Sequence, residues 1–267
     1  MSSAHGCRRF FDVTLAMKAR FSWTRYRMTD KTSRFDGFFK SEFKINDMVG
    51  RSVSYVRDGK LLGGNSGFAH IGTYRFDGDS IAVAVTSRRH NFGAGHQSLL
   101  GSDVSTIAVT GRAVGDAFHF EGSSPQMPNA IFRSVMTPLD ESDLPAPGLI
   151  HEGGISNGLY SIHLKILDGL PGGLTGVMLL NNGRILGGDA FFYYLGSYSS
   201  SNGRWKGQMV NQEHTPARGE DPVFGGHEIG IGFSGTCNAE GGFLEGTALA
   251  GKRSIRFEAQ LRLIDAA

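Results

Sequence analysis

Two cysteines in 267 residues, Cys7 and Cys237, are too few for a disulfide framework, an iron–sulfur cluster or a four-thiolate zinc site. That scarcity fits a reducing compartment, so the expected location is cytoplasmic. Proline is also scarce, 8 of 267, and no run of about 18 consecutive apolar residues is present, which excludes a membrane-spanning helix. No HExxH zinc motif, paired-carboxylate pocket or Cys–His pair is visible. The expectation is therefore a non-enzymatic chain with no cofactor and no metal.

Glycine is abundant instead, 39 of 267, about twice its usual share of roughly 7%. Without a collagen period, this excess implies many tight turns and short strands. Charge is unevenly spread. Residues 1–34 carry eight basic side chains (Arg8, Arg9, Lys18, Arg20, Arg25, Arg27, Lys31, Arg34) against Asp12 and Asp30. The remainder holds 19 basic and 23 acidic side chains, a net of −4, which argues against direct nucleic-acid binding by the folded body. Residues 1–34 lack the apolar stretch and cleavage site of a secretory signal and read as a basic flexible leader.

An internal repeat organises the rest. DGKLLGG (58–64) returns as NGRILGG (182–188), an offset of 124 that also places Gly72 on Gly196, Tyr74 on Tyr198, His90 on His214 and Gly111 on Gly235. DGFF (36–39) matches NGLY (157–160) at an offset of 121. The boundaries this predicts are a leader over 1–34, a first domain over 35–141, a linker over 142–156 and a second domain over 157–267. Within each copy apolar residues alternate with period two. Ile162, Leu164 and Ile166 form one such inward face, and Phe39, Ser41, Phe43 and Ile45 form its counterpart. Turn pairs Asp58-Gly59, Asn182-Gly183 and Asn202-Gly203 suit type I′ hairpins. About eight strands per copy leave edges that closure removes, so two tandem eight-stranded up-and-down β-barrels are expected, with a pair of Greek-key sandwiches as the competitor.

Candidate site residues are few. GIGFSG (230–235) matches GxGxxG formally but is followed by a turn and a strand, so Gly230 and Gly232 read as small outward strand residues. His90 and His214 occupy equivalent strand ends and read as structural, and SSSNG (199–203) reads as a solvated hairpin. The run Phe191, Phe192, Tyr193 and Tyr194 is apolar on both faces of its strand and needs cover, which marks an interface. By the repeat register Arg133 stands where Phe257 does, facing inward, so Arg133, Trp205 and His227 are the candidate lining of a ligand cavity.

NGLYSIHLKI (157–166), GVMLLNNGRILGGD (176–189) and an aromatic strand ending in YLGSY (194–198) resemble the GrlR family, negative regulators of type III secretion genes in Gram-negative bacteria. The resemblance covers 157–265 well and 36–140 more weakly. It implies lipocalin-like barrels that pair as a dimer, here as an intramolecular pseudo-dimer, and a function in transcription regulation by capture of a helix-turn-helix activator. It also implies an acidic loop after the fourth strand, whose counterpart is FDGDS (76–80) with Asp77 and Asp79; SSSNG in the second copy has no acid. The alternative function is a carrier or sensor of a small apolar ligand or lipid inside a barrel. If the acidic turn holds a protein partner, replacing Asp77 and Asp79 with alanine weakens partner capture in a pull-down without unfolding the chain. Unchanged capture removes that turn from the account.

Overall fold

The structure is a computed structural model and describes residues 35–93, 95–168, 173–217, 224 and 228–266. The basic leader therefore lies outside the described residues. The first barrel comprises β1 (Gly37–Ile45), β2 (Met48–Arg57), β3 (Lys60–Gly64), β4 (Phe68–Asp77), β5 (Ser80–Arg89), β6 (Val104–Val114), β7 (Ala117–Ser124) and β8 (Met127–Pro138). The second comprises β9 (Gly158–Ile166), β10 (Gly173–Asn181), β11 (Arg184–Gly188), β12 (Phe192–Ser201), β13 (Arg204–Glu213), β14 (Ile229–Cys237), β15 (Gly241–Ala250) and β16 (Arg253–Ala266). Each is a closed antiparallel meander, β1 pairing with β8 and β9 with β16. Closure removes every free sheet edge, which two sandwiches would have left exposed. No helix among the described residues is long and apolar enough to cross a membrane.

Local chemistry explains the meander. Asp58-Gly59, Asn182-Gly183 and Asn202-Gly203 all adopt positive φ at both residues, between 48° and 82°, as type I′ turns require. Alternation then puts one set of side chains inside. Phe35 plugs one end of the first barrel, its ring 4.8 Å from Phe118, 5.2 Å from Tyr74 and 5.5 Å from Phe39. In the second barrel Ile155 is buried in the interior cluster that contains Tyr198 and Trp205.

A third apolar cluster lies outside both barrels and joins them. Phe38, Val53, Leu62 and Ala69 of the first barrel pack with Leu159, Val177, Leu179, Leu186, Tyr193 and Leu195 of the second. Val53 and Val177, Leu62 and Leu186, and Phe38 and Leu159 are repeat equivalents, so the same patch is used on both sides, as in a two-fold dimer interface. The segment between the barrels follows the second one closely. His151 N donates to Ser200 O at 2.9 Å, Gly148 N to Gly183 O at 3.0 Å and Leu149 N to the Ser199 hydroxyl at 2.9 Å. The serine-rich hairpin is therefore covered rather than solvated, and Ser200 is buried.

Because Leu186 is fully enclosed by this junction, Leu186→Ala is expected to cost about 2–5 kcal/mol in urea unfolding. Leu249→Ala, at a residue 64% exposed, is expected to stay within about 0.5 kcal/mol.

Candidate functional site

The interiors of the two barrels have diverged. Matching strand pairings, at offsets of 121 for β1, 124 for β2 to β7 and 125 for β8, make the comparison residue by residue. In the second barrel Ile162 faces Gly176, Met178 faces Gly187, Gly187 faces Tyr194, Asn211 faces Ile229 and Leu164 faces Ala259. The corresponding pairs in the first barrel are Ser41 with Ser52, Ser54 with Gly63, Gly63 with His70, Ser87 with Ser105 and Phe43 with Ser134. Six serines and a histidine thus stand where the second barrel has Ile162, Gly176, Met178, Asn211, Ile229, Ala259 and Tyr194. Val85 and Val109 further replace Met209 and Phe233.

Side-chain volume follows. In the second barrel Tyr194 lies on Gly187, where a Cβ would come within 2.4 Å of its ring, and Phe257 lies on Gly246 in the same way. Trp205, 2% exposed, stacks edge-on with Phe233 at 4.8 Å and donates from Nε1 to Phe243 O at 3.1 Å. At the matching positions the first barrel keeps Phe132 for Phe257 but has His70 for Tyr194, Ile81 for Trp205 and Val109 for Phe233, and a cavity of about 770 Å³ opens there that the two barrels share. That volume lies within the roughly 300–1,000 Å³ range of small-molecule sites. The cavity extends from Leu61, Val83, Val109 and Phe120, past the serines and His70, to the junction, where Thr175, Asp189, Phe191 and Phe192 join its wall, and on to Ile162, Leu164, Tyr194, Met209 and Ile231 inside the second barrel.

The mouth is held by polar bonds that cross between the barrels. Thr175 Oγ1 donates to Ser66 O at 2.8 Å, Asn91 Nδ2 to Thr175 Oγ1 at 3.0 Å and Lys40 Nζ to His214 O at 2.8 Å. Asn65 and Asp189 are equivalent turn residues. Asn65 Oδ1 accepts from the N–H of Gly67 and Phe68, and Asp189 Oδ1 from Phe191 and Phe192. Burial raises the Asp189 carboxyl above its ordinary value despite those two donors. Arg89 pins the segment after β5, with Nη1 3.0 Å from Asp103 Oδ1, a bond to His96 O and its guanidinium over the rings of Phe68 and Phe92.

The expected site residues separate. Arg133 is not inward: its side chain is 63% exposed and pairs with Glu121 at 2.8 Å on the outer face. The cause is a one-residue slip. Gly122 faces Phe132 in the first copy, whereas Gly246 faces Phe257 in the second, so the offset changes from 124 to 125 across the hairpin. In a strand, a shift of one reverses the face. Trp205 is inward but fills the second barrel and is absent from the cavity wall. His227 lies outside the described residues. Of the aromatic run, Tyr193 enters the inter-barrel cluster, Tyr194 points into the second barrel, and Phe191 and Phe192 line the cavity mouth. Asp77 and Asp79 are exposed at the β4–β5 turn. Gly230 and Gly232 face outward with no atom near a would-be Cβ. GISNG (154–158) matches the GxSxG elbow formally, yet it leads into β9 rather than from strand to helix and lacks that geometry. Among the described residues no group of three His, Cys, Asp or Glu is placed to hold a metal ion.

Ser41 was readable as inward from alternation. Ser54, His70 and Ser105 were open to the same reading, by carrying the repeat offset onto Met178, Tyr194 and Ile229.

Comparison with known proteins adds little. No family model and no curated protein matches the chain. Among solved structures, a candidate outer membrane protein from Bacteroides fragilis aligns over 88% of this chain and 99% of its own, at 9% identity and a TM-score of 0.24, a likeness too slight to carry an argument.

His70, His90 and His214 are all pushed down to about 4, burial being the largest cause in each; the neighbouring His90 adds to it for His70. Unfolded imidazoles titrate near 6.5. Stability is thus fully present above about pH 6.5 and declines as pH falls toward about 4, because the unfolded chain takes up protons that the folded chain refuses. Urea midpoints measured across that range are expected to drop, and His70→Tyr, copying Tyr194, is expected to shallow the slope.

Proposed function

We propose that the chain is a small-molecule carrier or sensor whose first barrel receives the ligand while the second, more fully packed barrel serves as its scaffold. The observation that carries this reading is the cavity of about 770 Å³, whose first-barrel wall has serines and His70 where the repeat partner has Ile162, Met178, Tyr194 and Ile229. An eight-stranded barrel has an interior just large enough for its own side chains or for one small ligand. Removing the side chains leaves the second use.

The energetics divide affinity from selectivity. Burial of each CH₂ contributes about 0.8 kcal/mol, so an apolar body supplies most of the affinity. A neutral hydrogen bond adds about 0.5–1.5 kcal/mol net, but a buried hydroxyl left unpaired costs about 1–3 kcal/mol. The serines therefore act chiefly by rejecting molecules that fail to bond them.

The regulatory reading attaches to a different surface. The resemblance to secretion regulators and the exposed acidic turn at Asp77 and Asp79 support capture of a helix-turn-helix activator by the first barrel's outside. A ligand inside that barrel leaves the turn accessible, so the two functions are compatible in one molecule.

Native mass spectrometry of the purified chain is expected to show a bound small molecule at one per chain, released by organic extraction. The double variant Ser54→Met/His70→Tyr, which copies the second barrel's fillers, is expected to lose it while keeping the fold. Retention of the ligand in that variant contradicts a first-barrel site.

A further inference from the structure

We propose that the ligand of the first barrel is an electrically neutral molecule with an apolar body and at least two hydroxyl or carbonyl oxygens, which complete a belt of hydrogen-bonding groups on the barrel wall. This inference rests on the ligand-binding reading above and narrows it to a chemical class.

The belt is a product of register. His70 faces Ser87, and Ser87 faces Ser105, on three successive strands; Ser41 faces Ser52 on two more. Directly opposed residues on neighbouring strands have Cβ atoms about 4.5–5.5 Å apart, so adjacent oxygens of one molecule can reach two of them. Hydroxyls and a neutral imidazole both donate and accept, which suits alcohol, ester or ketone oxygens equally.

Ser105 gives the belt its direction. It is 2% exposed, it lines the cavity, and its hydroxyl has no hydrogen-bond partner. Buried polar groups are paired as a rule, and Ile229, its repeat equivalent, shows that the position accepts an apolar residue. A hydroxyl placed there without a protein partner is one reserved for a bound molecule.

The wall offers no cation deep inside. Arg51, the guanidinium among the described lining residues, belongs to the outer face of β2, opposite Glu42, with which its Nη2 pairs at 3.1 Å, while its Nε is buried without a partner. His70 stays uncharged in its burial. A carboxylate or phosphate drawn into the belt would lose its hydration without a counter-charge, and the carboxylate that an ammonium would meet among the described lining residues, Asp189, stands at the junction and already accepts from the N–H of Phe191 and Phe192.

The test uses the full chain, stripped by organic extraction and refolded, with two probes of equal chain length, monolauroylglycerol and dodecanoate, measured by calorimetry. Monolauroylglycerol is expected to bind about tenfold or more tightly than dodecanoate. Ser87→Ala/Ser105→Ala, which removes two belt hydroxyls without adding bulk, is expected to erase that preference while circular dichroism stays unchanged. If dodecanoate binds as well or better, and Arg51→Gln abolishes it, the ligand is an anion anchored at the mouth; the neutral class is overturned while the carrier reading stands. If neither probe binds and the native protein yields no extractable molecule, both readings fall.

Discussion

Strand number fixes the space inside a closed barrel, and side-chain size then decides whether that space is core or cavity. Two barrels of equal strand number, joined in one chain, turn this constraint into an internal control. The second meets it with Tyr194, Met178, Trp205, Phe233 and Phe257, which pack most of its interior and leave Ile162, Leu164, Met209 and Ile231 on the wall of the shared cavity. The first keeps the same strands, turns and glycine positions but places Ser41, Ser54, His70 and Ser105 where the packing residues belong. Its buried cluster still runs from Phe35 and Phe118 to Ile45 and Phe132, but the serine-lined space beside it is open.

The joint between the barrels makes this division stable. A barrel with a hollow interior has lost apolar burial that it must recover elsewhere. The outer-face cluster of Val53, Leu62, Val177, Leu186 and their neighbours recovers it against the filled copy. Fusion in one chain holds the two patches at high effective concentration, so a destabilised copy is retained. The same joint brings Thr175, Phe191 and Phe192 of the second barrel to the mouth of the first, so the scaffold also contributes to the entrance.

The repeat and barrel closure were legible because they are written in local chemistry: Asp-Gly and Asn-Gly at turns, alternation in β1 and β9, and an offset of 124 held from β2 to β7. The site was less so. Arg133 was misplaced since a single added residue in one hairpin leaves the sequence pattern intact while reversing a strand face. Apart from Ser41, which alternation already placed inside, the serine belt escaped notice because a serine within a strand usually marks the solvent side, and the register against Met178 and Ile229 is what shows Ser54 and Ser105 pointing inward. The aromatic run announced a need for cover but not that its four residues serve three surroundings, since period two sends neighbours to opposite sides. Linker cover over Ser200 had no signal in sequence at all, being a tertiary contact between the linker and β12.

The account turns on what occupies the first barrel. A crystal structure of the protein purified without extraction addresses this directly. Continuous non-protein density in the first barrel, in contact with the Ser105 hydroxyl and with none in the second, is the predicted result. A first barrel that has collapsed onto its own side chains, or that holds only scattered waters, would contradict it.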